Sequence, residues 1–236
     1  MLFSAQANLA FAHFPKTAGT SIVGLLTGAL PDARLIDPRN THLDVLTGRA
    51  RMRLKANPLK AWARRLKGEP AGPCEVDIPR TDDLRVLGIV REPFELCVSL
   101  FEYWNRTMQA SRDPLPPLLD AAVKGDFDRF LRIAAEDNPC LPTFRQFYDF
   151  GGPLWPRTLL VDYAHLKEGL GEAFTRLGLA VDVAALPALN TNPRPPEQLQ
   201  KREEEAGELA DRIRKRFEWG QPVELLGRPR NAGGLA

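Results

Sequence analysis

Residues Leu84 to Val90, "LRVLGIV", form a short and almost unbroken apolar run. A strand with no polar alternation is buried on both faces, as strands of a parallel sheet are. The rest of the chain supplies what such a sheet needs. Leu9 to Phe14 and "RTLLVDY" (Arg157 to Tyr163) read as further strands, and Ala33 to Ile36 as a short one. Helical patterns follow them: Gly19 to Leu30, with Ile22, Val23, Leu25 and Leu26 on its apolar side; Pro93 to about Met108; and Leu166 to Leu177. Pro93 suits the first turn of its helix, where proline is tolerated. Asp126 to Glu136, Thr143 to Phe150 and the charged stretch Glu197 to Trp219 also read as helices. Strand and helix alternate, so the expected fold is α/β, with a mainly parallel central sheet flanked by helices in three layers. One domain is expected over residues 1–227, with 228–236 as a frayed tail.

The charge distribution narrows the partners. Net charge is only +2 over 236 residues, so the whole molecule is no general polyanion binder and nucleic acid is not an expected partner. The positive charge is local: Arg49 to Lys67 carries eight basic residues and no acidic one. Met52, Leu59 and Leu66 recur there at helical spacing, interrupted near Pro58. That pattern suits the entrance for an anionic acceptor, a peripheral membrane contact, or a solvated face packed on the core. No run approaches the roughly 20 apolar residues of a membrane span, and the N-terminus lacks the pattern of a signal peptide. Cys74, Cys97 and Cys140 are scattered and odd in number, as isolated thiols of a reducing compartment are. A cytoplasmic location is therefore expected. Three histidines are too few for a Cys/His metal cluster.

Two strand exits carry chemistry. "HFPKTAGTS" puts Lys16, Thr17, Ala18, Gly19, Thr20 and Ser21 at the turn and the first helical residues. Backbone N–H groups there lack intrahelical partners and the helix dipole is positive, so the site suits a tetrahedral anion. Gly19 lets the backbone approach closely, the hydroxyls add donors, and Lys16 adds a full charge. Ala18 is at ease only if the loop does not require positive φ. At the second exit, Arg91 follows the strand directly and Ser99 stands eight residues on. Arg91 offers a bidentate grip for a phosphate, and either residue taken alone reads as an ordinary surface group or ion-pair partner. Lysine precedes the glycine, unlike the GxxxxGK[ST] order of nucleotide triphosphatases, and "LGIV" ends in Arg91 instead of a Mg²⁺-holding Asp.

Of the histidines, His13 lies in the first strand and reads as structural, and His165 opens a surface helix. His42 follows Thr41, which has the T-x-x-D spacing of a capping box with Asp44. At a helix N-terminus the dipole disfavours the protonated imidazole, which suits a general base. Glu92 and Glu95 are the alternatives for that role.

"HFPKTAGTS" and "VREPFELCVSLF" together resemble the PAPS-dependent sulfotransferase superfamily, in the branch of heparan sulfate 2-O-sulfotransferases and small bacterial relatives. Those proteins carry sequences close to "HIPKTGGTS" and "VRNPFERLVSLY". Weaker likeness continues through "VDYAHLKEGLGEAFTRLGL" and "LPALNTNPRPP", so that it spans residues 9–196 with gaps. The resemblance implies a P-loop-like fold and 3′-phosphoadenosine 5′-phosphosulfate (PAPS) as sulfuryl donor, without a metal. It assigns Lys16 to Ser21 to the 5′-phosphosulfate, Arg91 and Ser99 to the 3′-phosphate, and Arg194 to the late cofactor loop. Lys16 then stabilises the leaving group and His42, placed where the family often has a histidine, is the base. The acceptor is a hydroxyl of a glycan, a lipid-linked saccharide or a small alcohol. A PAPS-binding protein without transfer activity and a P-loop kinase relative are the rival readings.

Overall fold

The computed structural model describes residues 1–37, 41–48, 84–108, 114–187 and 195–228. Its strands are β1 (Leu2–Ser4), β2 (Leu9–Ala12), β3 (Arg34–Leu35), β4 (Arg85–Val90) and β5 (Thr158–Asp162). Its helices are α1 (Gly19–Ala29), α2 (Pro93–Thr107), α3 (Pro117–Val123), α4 (Phe127–Ala134), α5 (Phe144–Phe147), α6 (Leu166–Leu177), α7 (Pro196–Ala206) and α8 (Glu208–Arg216). Residues 45–48 add one helical turn. The protein is thus α/β, with a mixed five-stranded sheet flanked by helices. Two compact units divide the chain: Met1–Val90 with Gln146–Asn190 and Glu224–Ala232, and Arg91–Arg145 with Thr191–Val223 and Gly233–Ala236.

The first unit holds the sheet, in the order β3-β1-β2-β4-β5. β2, β4 and β5 run parallel, with Phe11 opposite Leu87 and Leu87 opposite Leu159. β1 is antiparallel to both of its neighbours. Alternate strand residues turn to one face, where Leu9, Phe11, Leu87, Ile89 and Val161 meet Ile22, Leu25 and Leu26 of α1 and Leu170, Phe174 and Leu177 of α6. This is the core of the unit. A segment close to the C-terminus extends the sheet: Leu226 forms a parallel bridge with Val161, donating to Leu160 O at 2.8 Å. It passes so close to α6 that a Cβ on Gly169 would lie 2.7 Å from Leu226 O. Arg228, the first residue of the expected tail, pairs with Asp162.

On the opposite face a tyrosine finishes β4. β2 stops at Ala12, opposite Gly88, while β4 continues to Val90. The buried Tyr148 hydroxyl accepts from Ile89 N at 3.0 Å and donates to Ile89 O at 2.7 Å, replacing the missing strand. Its ring occupies the space beside Gly88, where a Cβ would come within 2.3 Å of it.

The second unit is helical. Phe101 of α2 packs tilted on Phe127 and edge-on against Phe130, with centroids 4.9 and 5.4 Å away. Arg216 donates to Ala134 O at 3.1 Å and Leu141 O at 2.6 Å, tying the C-terminal end of α4 to α8. Cys97 is fully buried on α2, and burial pushes its thiol up to about 12. It is an inert core residue.

Two expectations need correction. Glu197 to Trp219 is not one helix: Gly207, at φ 52° and ψ −126°, breaks it into α7 and α8. Only glycine occupies that conformation readily. Thr41 does not cap a helix. Asp44 does, accepting from Thr47 N at 2.7 Å, and the turn begins at residue 45. The Thr41 carbonyl instead accepts from the Met1 ammonium at 2.6 Å.

Tyr148→Phe leaves the buried Ile89 N–H and C=O without their hydroxyl partner. We expect a loss of about 2 kcal/mol of unfolding free energy in urea titrations. A loss below about 0.5 kcal/mol contradicts the role given to this hydroxyl.

Candidate functional site

The loop between β2 and α1 is built by three local constraints. The first is His13, only 8% exposed. Its ring lies flat against the start of α1, and a Cβ on Gly19 would stand 1.7 Å from its Cδ2 and 1.8 Å from its Nε2. Gly19 is therefore already required by an imidazole. The second is Thr17, whose buried hydroxyl donates to Phe14 O at 2.9 Å. That hydroxyl closes the turn and is not available to an anion. The third is backbone conformation. Lys16 and Ala18 sit in the left-handed region, at φ 61° and 59°, with Thr17 at negative φ between them. Each such non-glycine residue costs about 1–2 kcal/mol, so Ala18 occupies the conformation the sequence warned against.

The alternation has a chemical consequence. Left-handed residues at such a turn are of the kind that build backbone concavities suited to anions. Ala18 is the N-cap of α1 and gives it no side-chain hydrogen bond, and the first turn contains no acidic residue. The helix dipole therefore acts on the loop unopposed. Thr20 is exposed, Lys16 half-buried and Ser21 buried.

His42 stands beside this loop in the same unit. Its Nδ1 lies 3.1 Å from His13 O, and the two rings meet edge to face with centroids 4.3 Å apart. A carbonyl only accepts, so Nδ1 carries the proton and the neutral ring holds its lone pair on Nε2. The His42 pKa is lowered, first by burial of its inner edge and further by the Met1 amino charge, while the bond to His13 O opposes the shift. The residue as a whole is exposed. The lowered pKa favours the neutral state anticipated from the sequence, and its first cause is desolvation, not a helix dipole. Burial, with His42 and the Met1 amino group adding to it, lowers the His13 pKa further, to about 3.

Arg91 and Ser99 belong to the second unit. Arg91 is 9% exposed and its guanidinium holds Glu95 Oε1 at 2.6 Å. Ser99 is half-buried, one turn beyond Glu95 on α2. Glu92, named with Glu95 as an alternative base, caps α2 by accepting from Glu95 N at 2.6 Å and pairs with Arg214 Nε at 2.8 Å. Both carboxylates thus have structural partners. A strand-end aspartate does exist on β5, and Asp162 is engaged by Arg228 and by Ala164 N. His165 precedes α6 and gives it no side-chain cap. Among the described residues, no group of three or more His, Cys, Asp or Glu is arranged to hold a metal ion. Arg194 and the basic stretch 49–67 lie outside the described residues.

The sequence reads His13 as structural, and its contact with Gly19, six residues later in the chain, is a pairing that no local pattern reveals.

Gly19→Ala is expected to cost about 3 kcal/mol or more, because neither ring nor backbone has room to yield. His13→Ala combined with Gly19→Ala restores part of this loss, with a coupling of about 1–3 kcal/mol in a double-mutant cycle. Additive losses contradict the contact. His13 also sets a pH dependence. Below its ordinary pKa of 6.5 the unfolded chain takes up a proton that the folded ring refuses until about pH 3. Its contribution is therefore complete above pH 6.5 and is lost as pH falls, by about 2 kcal/mol at about pH 5. His13→Asn flattens this slope; an unchanged slope contradicts the assignment.

No protein-family model matches the chain, and no curated protein or solved structure matches it.

Proposed function

We propose that the protein is a P-loop-like sulfotransferase, cytoplasmic, that moves a sulfuryl group from PAPS to an acceptor hydroxyl on a carbohydrate, glycolipid or small alcohol. One observation carries the reading. A nest-forming turn at an uncapped helix N-terminus stands in one unit with a histidine whose lone pair is on Nε2. The first feature suits a tetrahedral anion, and the second suits an acceptor proton.

The donor supplies an activated sulfuryl group: its sulfur–oxygen bond to the phosphate breaks as a bond from the acceptor oxygen to sulfur forms. The chain's own residues do the rest. Backbone N–H groups from Lys16 to Ser21 bind the anion and fix its orientation, and the Lys16 ammonium balances charge on the departing phosphate oxygen. His42 Nε2 takes the acceptor's proton, while His13 O holds the ring in the required tautomer. In this reading Arg91 and Ser99 take the 3′-phosphate and Arg194 contributes from its loop, assignments that rest on the sequence resemblance.

Thermal-shift titration tests the donor class. Adenosine 3′,5′-bisphosphate is expected to raise Tm well above the effect of equal concentrations of AMP or ATP, without Mg²⁺. The gain follows from selective binding to the folded state, about 2.7 kcal/mol at a hundredfold excess over Kd. A Mg²⁺-dependent preference for ATP sinks the reading in favour of a kinase relative. Equal shifts from AMP and the bisphosphate sink the donor assignment.

A further inference from the structure

Arg91 is already holding an anion. Its guanidinium binds Glu95 at 2.6 Å, with the arginine side chain 10% exposed and the glutamate 29% exposed. The arginine follows β4 directly and is enclosed, so it has little room to swing. The glutamate lies one helical turn on and borders solvent. Ser99 lies one turn beyond Glu95 on α2, roughly 6 Å along the axis at 1.5 Å per residue. A phosphate held by Arg91 and Ser99 together meets the Glu95 carboxylate that already occupies the guanidinium.

We infer that Glu95 is a built-in competitor for Arg91, and that a ligand phosphate reaches the guanidinium by displacing this carboxylate towards solvent. The inference rests on the proposed function, which gives Arg91 and Ser99 the 3′-phosphate. A carboxylate and a phosphate at one guanidinium repel each other, so Glu95 lowers affinity for the 3′-phosphate specifically and sets how strongly the protein distinguishes 3′-phosphorylated nucleotides. Unliganded, the pair keeps a buried guanidinium compensated.

Glu95→Gln isolates the charge, since its amide oxygen still accepts from Arg91. By calorimetry, this variant is expected to bind adenosine 3′,5′-bisphosphate at least about tenfold more tightly than the wild type, with 5′-AMP affinity unchanged. If the wild type prefers the bisphosphate and the variant binds it equally or more weakly, Glu95 is a tether or bystander and the inference fails alone. If neither protein prefers the bisphosphate, the proposed function fails and takes the inference with it. A measurement on the wild type removes dependence on the variant's folding. The ¹³C resonance of the Glu95 carboxylate should move to that of a solvated glutamate as the bisphosphate saturates the protein. An unmoved resonance at saturation overturns the displacement.

Discussion

The contact between the His13 ring and Gly19 fixes the strand exit on which the candidate site depends. Because that ring lies on the first residue of α1, the chain cannot begin the helix with any side chain at that position. The turn before it must be tight. Thr17 spends its hydroxyl on Phe14 O, and Lys16 and Ala18 take left-handed conformations. Behind the turn, Phe14 packs on Phe147 with centroids 4.7 Å apart, so the strand end does not shift. The same histidine reaches outward through its carbonyl and sets the His42 tautomer. Packing, backbone strain and proton placement are therefore linked through one residue. The roughly 1–2 kcal/mol stored at each left-handed position persists because core contacts on both sides hold it there.

The two strand exits differ in how their charge is balanced. The loop after β2 has a helix N-terminus, a lysine and no acidic residue in the first turn. It presents positive potential without an internal counter-charge in that turn. The exit after β4 is internally balanced: Glu95 answers Arg91, and Glu92 answers both the α2 N-terminus and Arg214. Arg214 also holds Glu203 at 2.6 Å, which joins α7 and α8 to the start of α2. The glutamate cap extends this network.

Much of the architecture was legible because it is written in local patterns. The continuous apolar run of β4 announced a doubly buried strand. The 3.6-residue periodicity of α6 gave its limits, Leu166 and Leu177, to the residue. Pro93 marked the start of α2. What escaped was non-local or stereochemical. β1 is three residues long and becomes a strand only by pairing with β2 and β3. Leu226 joins the sheet only because Gly169 and Gly227 let it approach. Gly207 was read through as one glycine in a charged helix, and its positive φ is what divides the helix. At the candidate site, residue types and spacing pointed to the loop and His42, whereas the demand for Gly19 comes from a ring six residues earlier in the chain. The T-x-x-D spacing around His42 misled, because a capping box is defined by hydrogen bonds and Asp44 alone makes the capping bond.

The central claim is sulfuryl transfer, and the most direct measurement is transfer of ³⁵S from labelled PAPS to a panel of saccharide, glycolipid and small alcohol acceptors. Label is expected in at least one acceptor class, lost on Lys16→Ala and on His42→Ala while both variants keep the wild-type fold by circular dichroism. Tight bisphosphate binding with no transfer to any class, or transfer that survives His42→Ala undiminished, contradicts it.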